Sequence, residues 1–177
     1  MAVVKRGSAV KKGLKFFIYG EQGTWKSSFA LDFMKMKNED GRPLRVLYID
    51  CETGSVDNYL EDLEAEGIDL NNIFLVYTTS YSEVEEYAQK AMNDEDFYIE
   101  NEETGELELV LDADGNPFRA DVIVVDGITV ISDNVKFAAI NVSEKRAKLK
   151  AKAQEKTVVE QFVAEATAGL EFKDQDK

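Results

Sequence analysis

The chain has no histidine, one cysteine, two prolines and one tryptophan in 177 residues. Each shortage narrows what it can do. Without histidine, the common zinc sites and every His-dependent catalytic triad are excluded. Cys51 alone permits no internal disulfide, which leads to the expectation of a reducing, cytoplasmic setting. No run approaches the ~18 uncharged apolar residues of a membrane span, so no membrane partner is expected. The opening "MAVVKRGSAVKKG" is basic but has no apolar stretch of the kind that marks a secretory signal.

What is present suits one domain with a sizeable core: 44% of residues are hydrophobic and 32% charged. The net charge of −14 is unevenly spread. Residues 1–37 carry eight bases and two acids, residues 38–142 five bases and 26 acids, and residues 143–177 eight bases and seven acids. The last group crowds its bases into "KRAKLKAKAQEK". A protein that coats nucleic acid through general electrostatics is not built this way, so any such contact falls to the N-terminal arm or to the 145–156 cluster. The plainer reading makes the acidic middle a solvated surface and the lysines one face of a helix.

Apolar periodicity predicts alternating strands and helices. "LKFFIYG" (14–20), "LRVLYID" (44–50), "NIFLVYT" (72–78) and "ADVIVVDGIT" (120–129) read as buried strands. A helix is expected from Lys26, with Phe29, Phe33 and Met36 on one face. Others are expected over 55–67, over 82–93 (with Val84, Tyr87, Ala88 and Ala91 facing one way) and from Ser143 onward, where Val158, Val159, Phe162, Val163 and Ala166 form a stripe. "FKDQDK" at the end is expected to fray. Residues 96–118 alternate on either side of "EETGE" and read as an inserted β-hairpin. Its "DADGN" lacks the spacing of a calcium loop and is read as a turn. The pattern implies an α/β fold, a parallel sheet flanked by helices, with ligands outside the carboxyl ends of the strands. Three segments follow: a basic arm (1–13), a core (14–142) and a C-terminal helical segment (143–177).

Three segments carry chemistry. In "IYGEQGTWKSSFALDF", Gly20, Gly23, Lys26 and Ser27 stand where a phosphate-binding loop, G-x-x-x-x-G-K-[ST], has its parts, while Trp25 replaces its second required glycine. Gly20 and Gly23 let backbone approach phosphate, Lys26 reaches the outer phosphates, and the Ser27 hydroxyl suits Mg²⁺. If the loop forms an anion nest, position 25 needs positive φ, at about 1–2 kcal/mol for a non-glycine residue, and the indole projects outward. "VIVVDG" is an apolar strand ending in an acid, Asp126, suited to bind Mg²⁺. "LYIDCETGS" places Asp50 and Glu52 either side of Cys51, on one face of an extended chain. Glu52 is read as the base that activates water, against the alternative that Asp50 caps the turn and Glu52 is merely solvated. Cys51 is read as a small buried filler.

"LYIDCETGS" resembles the RecA-like strand that carries a catalytic glutamate, and "VIVVDGIT" is similar to the Walker B strand of the same proteins. With "IYGEQGTWKSSFALDF" as Walker A, residues 14–130 resemble the small RecA-like P-loop ATP-binding proteins of bacteriophages, implicated in recombination and single-strand annealing. The resemblance implies a P-loop NTPase fold. It also implies ATP bound by Gly20, Glu21, Gln22, Gly23, Thr24, Trp25, Lys26, Ser27 and Ser28, with Mg²⁺ at Ser27 and Asp126 and hydrolysis to ADP through Glu52 and Lys26. The implied partners are single-stranded DNA, a phage recombination or replication protein, and further copies of the chain, in the host cytoplasm. RecA-like cores carry a further strand between the Walker A and Walker B strands. After residue 141 the sequence has only helix pattern, so a shortened C-terminal part is expected. A nucleotide-gated protein-binding module is the alternative function. A small-molecule kinase ranks last, since the five arginines are scattered.

Overall fold

The computed structural model describes residues 13–21, 23–52, 54, 56–153 and 157–174. Gln22 and nearly all of the basic arm therefore lie outside the described residues, as does the expected fraying beyond Asp174. A short helix α1 (Lys26–Leu31) tightens into a 3₁₀ turn (Asp32–Lys35). Strand β1 (Val46–Asp50), helix α2 (Asp57–Ala65), strand β2 (Ile73–Tyr77) and helix α3 (Tyr81–Met92) follow. Then come the hairpin strands β3 (Tyr98–Glu100) and β4 (Leu107–Leu109), strand β5 (Val122–Asp126), and helices α4 (Ile128–Ala153) and α5 (Val158–Asp174).

The protein is a mixed α/β structure whose three-stranded sheet runs β2-β1-β5, parallel throughout. Alternation along β1 explains its place at the centre. Leu47 and Ile49 point to one face and Val46 and Tyr48 to the other, and all four are fully buried. The first face packs with Phe74 and Val76 of β2, Ala91 of α3, Phe97 and Phe118 at the hairpin's base, and Ile131 of α4. Its rings interlock, with Phe74 and Phe97 centroids 5.2 Å apart. The second face packs with Ala30, Leu31 and Met34 of the α1 segment and with Val56 and Leu63 around α2. Both faces are thus covered, as a parallel sheet requires. The sheet starts at a charged knot on its amino end. Arg42 and Arg45 both bond Asp121, and Arg45 reaches Asp112 in the hairpin's last turn. That turn is closed by Asp112 accepting the amides of Asp114 and Asn116.

The structure corrects several expectations. Residues 14–20 form no strand and are exposed along their whole length. Among the described residues β5 is the last strand of its sheet, and this run does not pair with it, so its backbone groups stay outside any ladder. After α1 begins, the buried apolar residues are Ala30, Leu31 and Met34, while Met36 and Phe29 are exposed. Phe29 and Phe33 instead gather around Phe16, at 6.4 and 5.9 Å between centroids. The last helical region starts at Ile128, well before Ser143, so Ile128 and Thr129, read as the end of a strand, already belong to a helix. The stripe on α5 is exposed: Val158, Val159, Phe162 and Val163 face outward. The hairpin, β1, β2, β5, α2 and α3 fall where the periodicity placed them. No helix among the described residues is long and apolar enough to cross a membrane.

Candidate functional site at the carboxyl ends of β1 and β5

The loop 20–28 is closed by its own side chains. The Lys26 ammonium donates to the carbonyls of Gly20 (3.0 Å) and Glu21 (2.8 Å) and lies 3.4 Å from Thr24 Oγ1. Thr24 Oγ1 in turn donates to Glu21 O at 2.7 Å. These bonds place the positive head of Lys26 at the mouth of the loop. Gly23 (φ 78°) and Trp25 (φ 62°) are both left-handed, with Thr24 between them. Alternation of this kind turns successive amides toward one side and makes an anion-binding nest. Trp25 therefore has the positive φ its position demands, at about 1–2 kcal/mol of strain. Its indole meets the ring of Tyr59 on α2 edge-on at 6.4 Å, a contact worth about 0.5–1.5 kcal/mol, which offsets much of that strain. The indole is 72% exposed and helps line a groove of about 710 Å³ between α1 and α2, outside the loop. Ser28 is buried beneath.

Ser27 and Asp126 lie 99 residues apart in sequence and meet directly. Ser27 Oγ donates to Asp126 Oδ2 at 2.5 Å. Two further donors fix this carboxylate: Tyr48 Oη to the same oxygen at 2.6 Å, and the Gly127 amide to Oδ1 at 2.9 Å. Tyr48 is fully buried in the central strand. Burial, then its bond to Asp126, pushes its phenol well above the ordinary value, so it stays a donor. The fold makes the meeting possible because β5 pairs β1 in register, Asp126 beside Asp50, at the strand ends where the α1 segment begins.

The end of β1 corrects one expectation. The strand stops at Asp50, so Asp50 and Glu52 do not share a face. Asp50 is fully buried and its two oxygens accept the amides of Glu52 (2.8 Å) and Gly54 (2.9 Å). It shapes the turn, as the capping alternative held. Glu52 is exposed and lies across Gly127. A Cβ at Gly127 would sit 2.6 Å from Glu52 Cγ, and its φ of +76° already disfavours any other residue. Cys51 is buried, as read from the sequence. Burial first, then the negative charges of Asp50, Asp126 and Glu52, push its thiol up to about 11.

Among the described residues no group of three or more His, Cys, Asp or Glu side chains gathers to hold a metal alone. The oxygen pair of Ser27 and Asp126 nonetheless suits Mg²⁺, which takes one or two protein oxygens and completes its shell with phosphates and water. Tyr48 and Gly127 are the functional candidates that sequence reasoning passed over. The signal for Tyr48 was a phenol two residues before Asp50 in an otherwise aliphatic strand. For Gly127 it was a glycine directly after the strand's terminal acid. Compared with known proteins, the chain matches no family model, no curated protein and no solved structure.

Proposed function

We propose that this chain is a P-loop NTPase of the RecA-like type that binds ATP with Mg²⁺ through residues 20–28 and Asp126, and hydrolyses it. The observation that carries the reading is the Ser27–Asp126 contact, which joins the phosphate-loop serine to the acid of a distant strand. The nest at Gly23–Trp25 supplies inward amides and Lys26 a mobile charge for the outer phosphates. Ser27 and Asp126 would hold Mg²⁺, which would supply neutralisation of the charge that develops on the phosphates. Glu52 takes the proton of the attacking water. The water oxygen bonds the γ-phosphorus, the bond to the β–γ bridging oxygen breaks, and ADP and phosphate leave.

The resemblance supplies the setting: DNA recombination of the bacteriophage type on single-stranded DNA, in the host cytoplasm, with assembly of several copies. Lys145, Arg146, Lys148, Lys150 and Lys152 are exposed along α4 and suit phosphate contacts whose strength falls with salt. The alternative, a nucleotide-gated binding module with little turnover, is favoured by one observation: among the described residues no strand pairs with the outer edge of β5, and the apolar run 14–19 is exposed. Glu52→Gln separates the two. Under the ATPase reading the variant loses turnover about 100-fold or more, with ATP affinity within about twofold of the parent. Equal phosphate release from parent and variant would favour the module.

A further inference from the structure

The Tyr48 hydroxyl is a buried polar group to which the reading above gives no task. Its ring sits in the centre of the sheet on the face covered by α1 and α2, at zero exposure, among Leu31, Met34 and Val46. A buried phenol needs a partner, and this one finds the carboxylate of the neighbouring strand, Oη to Asp126 Oδ2 at 2.6 Å. The same oxygen accepts the Ser27 hydroxyl at 2.5 Å. The two donors differ in kind. Ser27 lies at the start of α1 beside the exposed loop, and its hydroxyl turns by rotation about one bond. Tyr48 is gripped by packing along its whole ring and cannot turn away.

We infer that Tyr48 is the positioning residue of the cation site: it holds the Asp126 carboxylate in place beside the Ser27 hydroxyl, which gives its proton to Asp126 and keeps its oxygen lone pairs for Mg²⁺. This rests on the Mg·ATP reading and deepens it. Whichever way the Ser27 hydroxyl turns, the carboxylate keeps the phenol on one oxygen and the Gly127 amide on the other. The carboxylate is therefore preset for a cation, which meets it without a search over rotamers. With Phe in place of Tyr48 the ring volume is kept, and only the rotatable Ser27 hydroxyl and the Gly127 amide still orient Asp126. Loss of an outer partner of a metal-binding side chain commonly weakens the metal about 10–100-fold.

The test compares the parent with Tyr48→Phe in three measurements: ATP affinity in excess EDTA, the Mg²⁺ concentration that gives half of the Mg-dependent gain in ATP binding, and the thermal midpoint. The inference predicts a Mg²⁺ midpoint raised about tenfold or more, with metal-free ATP affinity within about twofold. A purely structural phenol would instead move the thermal midpoint and the metal-free affinity together and leave the Mg²⁺ midpoint in place, which overturns the inference. An unchanged Mg²⁺ midpoint in a folded variant overturns it too and leaves the Mg·ATP reading standing. A parent that binds no ATP at any Mg²⁺ concentration overturns both.

Discussion

Two runs of the chain are nearly alike on paper. "LKFFIYG" and "LRVLYID" have equal length, similar apolar content and a glycine or an acid at the end facing the site. The second becomes the centre of the sheet, with Ile49 fully buried; the first becomes an unpaired extension, with Phe17 79% exposed. The difference is one of neighbours. Strand β1 has β2 on one side and β5 on the other, whereas residues 14–20 have no strand beside them among the described residues. An apolar run states a preference, and only a ladder partner turns the preference into a strand. The run still delivers Gly20 to the loop, because Phe16 is pinned by Phe29 and Phe33 of the α1 segment.

The hardest way to break this contrast is in β1. Ile49→Ala removes a side chain with no exposure, and the unfolding free energy measured in urea is expected to fall by about 2–5 kcal/mol. A middling effect is expected where β1 and β5 begin. Asp121 is partly buried, which works against its charge, but bonds from Arg42 and from the Arg45 backbone and side chain outweigh that and hold its carboxyl at about 2. A carboxyl depressed in the folded state stabilises above its unfolded value of about 3.9 and loses that contribution as pH falls toward 2. With its side chain about a quarter exposed, the contribution is on the order of 1–2 kcal/mol. Urea midpoints of the parent and Asp121→Asn should therefore differ at about pH 6 and converge at about pH 2. The smallest effect belongs to the exposed run: Phe17→Ser is expected to change stability by no more than about 0.5 kcal/mol. A loss there as large as that of Ile49→Ala would mean that residues 14–20 are paired in solution, and the contrast would collapse.

The same contrast explains what the sequence made legible. Strands β1, β2 and β5 were readable because each is a short apolar run that the fold buries or half-buries, and the loop stood out because lysine and serine at a fixed offset from two glycines are rare. The failure at 14–20 was one of context, since nothing within seven residues tells whether a neighbour exists. The start of α4 was missed because Ile128, Thr129, Val130 and Ile131 are β-branched and extend the look of a strand past Gly127. Tyr48 was missed because periodicity assigns a central-strand aromatic to the core. It is in the core; the feature that escaped is where its oxygen points. Asp50 and Glu52 were placed on one face by assuming that the strand continues, but Asp50 draws the amides of Glu52 and Gly54 into a turn.

The central claim is that the loop 20–28 with Asp126 holds Mg·ATP. Its most direct test uses Trp25, the chain's only tryptophan, which sits in the loop against Tyr59. Trp25 emission is to be titrated with Mg·ATP in the parent and in Lys26→Ala, with calorimetry on the same samples. The account predicts a saturable change in the parent and a loss of affinity of about 100-fold or more in the variant, the scale set by removing a charge-assisted contact to phosphate. No change in emission and no heat in the parent would contradict it, leaving the Ser27–Asp126 contact a structural bond between a loop and a strand.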